Sequence, residues 1–177
     1  AMTAAAGHSL QLSLGLSEQY LVKALLICLL GFTFLLSALP GHLPHRRFGA
    51  ANRTTLTRAA LVALLFALIG EGSATLLAWT AVAIALLCAA LDGVDGWLAR
   101  RQRMTSAFGA RFDMETDAFS LLVIACLVWQ NAKAGPWVLL AGLMRSAFVA
   151  VIKAVPEFAA PLAPSFRRKA AFVIVAT

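Results

Sequence analysis

Four aspartates, the only ones in the chain, lie between residues 92 and 117. Asp92 and Asp95 are three positions apart and Asp113 and Asp117 are four apart, so on helices each pair shares one face. Carboxylates brought this close repel one another unless cations neutralise them. Hard oxygen ligands select Mg²⁺, Mn²⁺ or Ca²⁺, and four are enough for two metals, which suits displacement at phosphorus. The spacing therefore predicts a divalent-metal site that acts on a phosphate.

The alternative interpretation is that these acids are structural partners of the arginines around them, as in a solvated cluster of charges. Three features favour the metal site: the paired spacing, the absence of aspartate elsewhere, and the nearby glycines Gly96 and Gly109. Glycine lacks a side chain and lets a ligand approach the backbone. Arg100 could pair with phosphate oxygens.

The composition is that of an integral membrane protein of one domain. Of its 177 residues 61% are hydrophobic, and the mean hydropathy is +0.84, whereas soluble domains are about 45–50% apolar. The three cysteines lie in apolar runs and indicate no disulfide framework. The net charge of +7 comes from basic residues at predicted membrane edges. The positive charge is therefore better explained by the orientation of the protein in the membrane and by contact with anionic lipid than by nucleic-acid binding. We expect no nucleic-acid partner.

Five apolar stretches approach the roughly 20 residues that a membrane-spanning helix needs. A sixth run, from Ala170 to Thr177, is too short, and we expect its helix to continue beyond the residues given. The sequence thus predicts an all-α integral membrane protein, a polytopic helical bundle. The five stretches are residues 19–39, 55–71, 74–97, 110–130 and 135–155.

The distribution of positive charge predicts an orientation. Lysines and arginines concentrate in the connections 40–58, 98–111 and 153–169. The only charged residues in the intervening turns are Glu71 and Lys133. Basic connections remain in the cytoplasm. We therefore expect the N-terminus outside and the aspartates open to the cytoplasm.

These residues resemble a known family. The pattern Asp92-x2-Asp95-Gly96-x2-Ala99-Arg100-x8-Gly109-x3-Asp113-x3-Asp117 is similar to the signature of the CDP-alcohol phosphatidyltransferases at all eight positions. Two further elements are similar to that family: Asn52-x2-Thr55-x2-Arg58, and the pair Arg167 and Lys169, which resembles the basic pair opening the fifth core helix.

The resemblance implies a fold and a reaction. Members of the family have a six-helix core, are commonly homodimers, and bind two divalent metal ions, Mg or Mn, at the cytoplasmic face. They transfer the phosphatidyl group of a CDP-linked donor, usually CDP-diacylglycerol, to a small alcohol and release CMP. We expect an N-terminal tail (1–18), an extra transmembrane helix (19–39) and a catalytic domain (40–177) truncated at its C-terminus. The expected location is the bacterial inner membrane.

The resemblance also implies roles for individual residues. Asp92, Asp95, Asp113 and Asp117 are the expected metal ligands, and Asp117 is also the expected general base for the acceptor hydroxyl. The residues expected to shape the cytidine-diphosphate pocket are Asn52, Thr55, Gly96, Ala99, Arg100, Ser106 and Gly109.

Arg145 lies in the middle of an apolar run. An arginine at that depth is costly and normally faces a cavity or a partner. With Arg167 and Lys169 it is expected to bind a phosphorylated acceptor, glycerol 3-phosphate first, although serine or another small alcohol remains open. The alternative is an ion pair with one of the aspartates.

Two other functions share part of this pattern. A membrane prenyltransferase also binds a diphosphate through Mg²⁺ and aspartates, but it is expected to carry two separate aspartate-rich motifs, and this chain has one. A cation transporter is expected to place its acids at mid-span beside broken helices. Here the acids lie beside a basic connection, at one edge of the membrane.

Overall fold

The computed structural model describes residues 2–38, 50–72, 74–102 and 107–154, which form helices and short connections without a strand. This confirms the all-α prediction. The helices are α1 (Met2–Leu14), α2 (Glu18–Ala38), α3 (Ala50–Ala67), α4 (Thr75–Gln102), α5 (Ala107–Gln130) and α6 (Val138–Ala154). The chain divides into two compact units, Ala1–Met144 and Arg145–Thr177, and every contact described below lies within the first.

A helix lies at each of the five predicted stretches, but the helices continue into polar sequence. α3 begins at Ala50 rather than at residue 55, and α4 runs on to Gln102 rather than ending at residue 97. Hydropathy locates the apolar part of a helix only, whereas backbone hydrogen bonding continues through charged residues. A further helix, α1, lies within the segment predicted to be a tail.

α3 is the central helix of the first unit. Four consecutive residues of α3, 62–65, are all buried, and a helix that is apolar and buried on every side lies inside a protein. α3 packs against α1, α2, α4 and α5. The core around it also contains Tyr20 and Ala24 from α2, Cys88 from α4, and Val123 and Leu127 from α5.

Two helices of the described part of the chain are long and apolar enough to cross a membrane: Glu18–Ser37 in α2 and Thr75–Val94 in α4. Only 17% of the apolar stretch in α2 and 11% of that in α4 is buried. An apolar core helix of a soluble protein would be mostly buried, so these exposed apolar surfaces indicate helices that face lipid.

The turn between α3 and α4 is held by polar contacts from α2. Gly70 and Gly72 adopt positive φ values of 88° and 95°, and the turn brings Glu71 against the start of α2. The Glu71 carboxylate accepts hydrogen bonds from the Ser17 hydroxyl at 2.7 Å, the Ser17 N–H at 2.8 Å and Lys23 Nζ at 2.8 Å. Lys23 Nζ also donates to the Ile69 carbonyl at 3.0 Å. These groups, Ser17, Lys23 and Glu71, are called the polar clamp below.

The end of α5 holds the same turn from the other side. Gln130 accepts a hydrogen bond from the Gly70 N–H at 2.7 Å and donates one to the Gly72 carbonyl at 3.0 Å. α5 and α6 approach closely at Gly142, where an added Cβ would lie 2.6 Å from the Cα of Leu122. The polar clamp and Gln130 together therefore fix α2, α3 and α5 to one another at the end of the unit where the turn lies.

We expect the polar clamp to make stability depend on pH. Burial raises the pKa of Glu71, but the hydrogen bonds from Lys23 and Ser17 and the charge of Lys23 outweigh it, so the pKa lies below its usual range. A carboxylate with a lowered pKa in the folded state stabilises the protein above the ordinary pKa of glutamate, about 4.3, and loses that contribution as pH falls through the folded-state pKa. Glu71→Gln is therefore expected to cost about 1–2 kcal/mol at neutral pH, and the difference from wild type should close at acidic pH.

Unfolding in detergent, followed at several pH values for both proteins, checks this. Glu18→Gln serves as the matched control, because Glu18 is an exposed carboxylate at the start of α2, next to Ser17 of the polar clamp. A stability difference that stays constant from neutral to acidic pH would show that the Glu71 charge contributes nothing.

Candidate functional site

The first turns of α3 bury a polar face. Asn52, Thr55 and Arg58 are 8%, 3% and 4% exposed, whereas Arg53 and Leu56 between them are exposed. A buried charge is stable only when it is paired and hydrogen-bonded. The spacing of three residues therefore directs this face towards polar partners on neighbouring helices.

Those partners are the aspartates of α4 and α5. Arg58 Nη1 lies 2.9 Å from Asp92 Oδ1 and 2.7 Å from Asp113 Oδ1, and Arg58 Nη2 pairs with Asp117. The Arg58 side chain is 5% exposed, whereas the three carboxylates are 50%, 37% and 48% exposed. One buried guanidinium thus gathers three partly solvated acids from two helices.

The three carboxylates lie close enough together to be candidates for a metal site. Asp92, Asp113 and Asp117 each offer an oxygen within 4.8 Å of the others. Two oxygens on one Mg²⁺ at about 2.1 Å are at most about 4.2 Å apart, so small side-chain rotations would let these oxygens share an ion. Among the described side chains, three carboxylates lie beside one arginine, and an all-oxygen donor set suits Mg²⁺ or Mn²⁺. The residues therefore fit a divalent cation.

The other predicted site residues are described to different extents. Gly109 lies in the first turn of α5, one turn before Asp113. The backbone of α4 is helical through Asp95, Gly96, Ala99 and Arg100. The side chains of Asp95, Ala99 and Arg100 lie outside the description, as does that of Arg145 in α6. The residues that lie outside the described part of the chain altogether are Ser106, Arg167 and Lys169.

Arg58 was not among the residues predicted to form the site, although the sequence shows it within a pattern that resembles the family. The available signal was three polar residues at intervals of three, at the start of an otherwise apolar helix. The distribution of positive charge counted Arg58 with the basic connection 40–58 instead, as one of the residues that set the orientation in the membrane.

Glu115, between Asp113 and Asp117 in sequence, had no predicted role beyond lying off their face. It is half-buried and lines a cavity beside Phe112 and Phe119 rather than joining the three carboxylates. The helical period therefore separates it from the candidate metal site, as expected.

Comparison with known proteins bears on this site. A family model described as CDP-alcohol phosphatidyltransferase matches residues 48–177. The match begins just before α3 and includes every residue predicted for the site, whereas α1 and α2 precede it. No curated protein and no solved structure matches the chain.

Proposed function

Because the chain belongs to the CDP-alcohol phosphatidyltransferase family, transferases for substituted phosphate groups, we propose that it transfers the phosphatidyl group of CDP-diacylglycerol to a small alcohol and releases CMP. The first candidate acceptor is glycerol 3-phosphate. The observation that carries the proposal is the convergence of Asp92, Asp113 and Asp117, three acids of the family signature, on one partly solvated point.

We assign metal binding to Asp92, Asp95, Asp113 and Asp117. Members of the family generally use divalent metals, and two bound ions would neutralise the diphosphate and the charge that develops on phosphorus. The carboxylates are 37–50% exposed where described, which leaves room for a diphosphate and an acceptor. Arg58 holds them together from the buried side.

Asp117 is the proposed general base. It lies one turn further into α5 than Asp113, and its carboxylate is half-exposed, so it could accept the proton of an acceptor hydroxyl as that oxygen attacks phosphorus. The bond from the attacked phosphorus to the bridging oxygen of the diphosphate breaks, and CMP leaves with that oxygen. We assign Asn52, Thr55 and Gly109 to the cytidine-diphosphate pocket, since Thr55 lies one turn before Arg58 in α3 and Gly109 one turn before Asp113 in α5.

The surroundings of the site follow from the same proposal. The proposed location is the bacterial inner membrane, and the basic connections support an orientation with the site facing the cytoplasm. We assign α3–α6 to the six-helix core, with α2 as an additional helix, and expect a homodimer as in the family. Arg145, Arg167 and Lys169 are the proposed contacts of a phosphorylated acceptor.

Release of CMP from CDP-diacylglycerol tests the function directly. Purified protein with Mg²⁺ or Mn²⁺ is given glycerol 3-phosphate, inositol phosphate, inositol, serine or choline in turn. Acceptor-dependent release would support the reaction and identify the acceptor. Failure of all acceptors, together with no metal-dependent binding of CDP-diacylglycerol, would refute the proposal.

A further inference from the structure

A cavity of about 370 Å³ is lined by residues of α2, α3 and α5. α3 contributes Ala59, a small residue. The cavity volume lies within the range of small-molecule sites, about 300–1,000 Å³. The remaining lining residues are Ile27, Leu30, Gly31 and Phe34 of α2, and Phe112, Glu115, Thr116 and Phe119 of α5.

The lining is apolar apart from one acid. Thr116 donates its hydroxyl to the Phe112 carbonyl at 2.9 Å, so that group needs no partner in the cavity. Glu115 is the one charged residue among the described lining residues. Leu30 and Phe34, on the α2 wall, are 63% and 40% exposed and belong to a candidate membrane span. The cavity is therefore an apolar groove on the lipid-facing side of the unit.

Contacts at both ends hold this groove open. At one end the polar clamp fixes the start of α2, and at the other Leu35 of α2 packs with the stacked rings of Phe108 and Phe112. Between these ends an added Cβ at Gly31 would meet no atom within 4 Å. An unfilled apolar groove loses dispersion contacts, and within a bilayer hydrocarbon chains are available to fill it.

The groove is next to the catalytic helices. Ala59 follows Arg58, Phe112 precedes Asp113, and Thr116 precedes Asp117. The groove and the carboxylates therefore occupy the same turns of α3 and α5, at the same depth. α5 is about 10 Å across, and an acyl chain reaches about 15 Å, half of the hydrocarbon core. The flank of α5 between the two sites is open, since Met114 is 46% exposed.

We infer that this groove holds an acyl chain of the phosphatidyl donor while its diphosphate lies at the carboxylates. The inference rests on the proposed function and extends it, because one wall is α2, which precedes the family match. We assign the groove to the donor rather than to bulk phospholipid, because the donor is the lipid whose headgroup the adjacent carboxylates would hold in place.

Filling the groove tests the inference. Gly31→Leu places a branched side chain into the open space, and helix propensity favours the change. We expect kcat/KM for a dioleoyl CDP-linked donor to fall about tenfold and kcat/KM for a dihexanoyl donor to change less than about twofold, because short chains do not reach the groove. Leu29→Phe adds bulk to the opposite, exposed face of α2 and should change neither value. Equal loss with both donors, or no loss, would overturn the inference.

A second measurement does not depend on turnover. CDP-diacylglycerol with a diazirine in one acyl chain is expected to label residues 27–34 of the wild-type protein, and Gly31→Leu should lower that labelling several-fold. Phosphatidylcholine carrying the same diazirine is expected to label that segment weakly; equal labelling would assign the groove to bulk lipid and overturn the inference. This labelling needs no acceptor, so it decides whether the groove takes the donor chain even if no acceptor gives CMP release. The proposed function fails separately, when that absence of release is joined by no metal-dependent binding of CDP-diacylglycerol.

Discussion

Replacing Asp117 with asparagine is expected to lower acceptor-dependent CMP release by about a thousandfold or more. A general base contributes about 10²–10⁴-fold, and the same change removes one charge from the proposed metal ligands. A thousandfold loss corresponds to about 4 kcal/mol of transition-state stabilisation. Asparagine keeps the shape of the side chain and an oxygen that can accept from Arg58, so we expect the fold to persist.

The measurement is kcat and KM with saturating metal, together with binding of the donor. Donor binding is expected to stay within about tenfold of wild type, because Asp92 and Asp113 still gather on Arg58. A raised Mn²⁺ concentration separates the two roles: recovery of most of the activity would identify Asp117 mainly as a ligand, whereas a persistent loss of kcat identifies the base. Glu18→Gln, which removes an exposed carboxylate far along the sequence, should leave activity unchanged. More than a tenth of wild-type activity in Asp117→Asn at ordinary metal concentration would contradict both roles.

The second large effect is expected at Arg58. Arg58→Met keeps much of the side-chain volume but removes the guanidinium that pairs with Asp92, Asp113 and Asp117. Removal of one partner from a buried ion pair costs about 3–5 kcal/mol, and the solvent exposure of the three acids reduces this, so we expect a loss of about 3 kcal/mol without metal. Divalent metal should recover most of it, because metal takes over the neutralisation that Arg58 supplies.

Thermal unfolding of Arg58→Met, Arg58→Lys and wild type, each with EDTA or with Mg²⁺ or Mn²⁺, checks this prediction. The stabilisation by metal should be largest for Arg58→Met, since a ligand that binds the folded state stabilises it according to its affinity. Arg58→Lys keeps the charge but loses the forked geometry, and should lie between the other two. Equal stabilisation of all three proteins by metal would show that Arg58 does not act at the carboxylates.

The fold was predictable where it depends on local pattern. The five predicted apolar stretches each contain a helix, because the run of apolar residues that a span needs is readable from composition alone. Their ends were placed less well: polar residues begin α3 at Ala50 and end α4 at Gln102. α1 was missed, since a short stretch of small and polar residues carries no strong apolar signal.

The sequence by itself determined the residue types of the candidate site and their spacing along each helix. Helical spacing places Asp113 and Asp117 on one face of α5 and Glu115 on another, because a period of 3.6 residues is a local property of the backbone. The family signature follows from residue types and their spacing in the same way.

Only the tertiary structure decided which groups those acids meet. Arg58 pairs with Asp113 and Asp117, which are separated from it by 55 and 59 residues in the sequence. In the polar clamp, Ser17 and Glu71 are separated by 54 residues. The groove between α2 and α5 likewise depends on how far apart two helices are held. Such contacts arise from the packing of whole helices, and the spacing of residues within one helix carries no information about the distance or orientation of another.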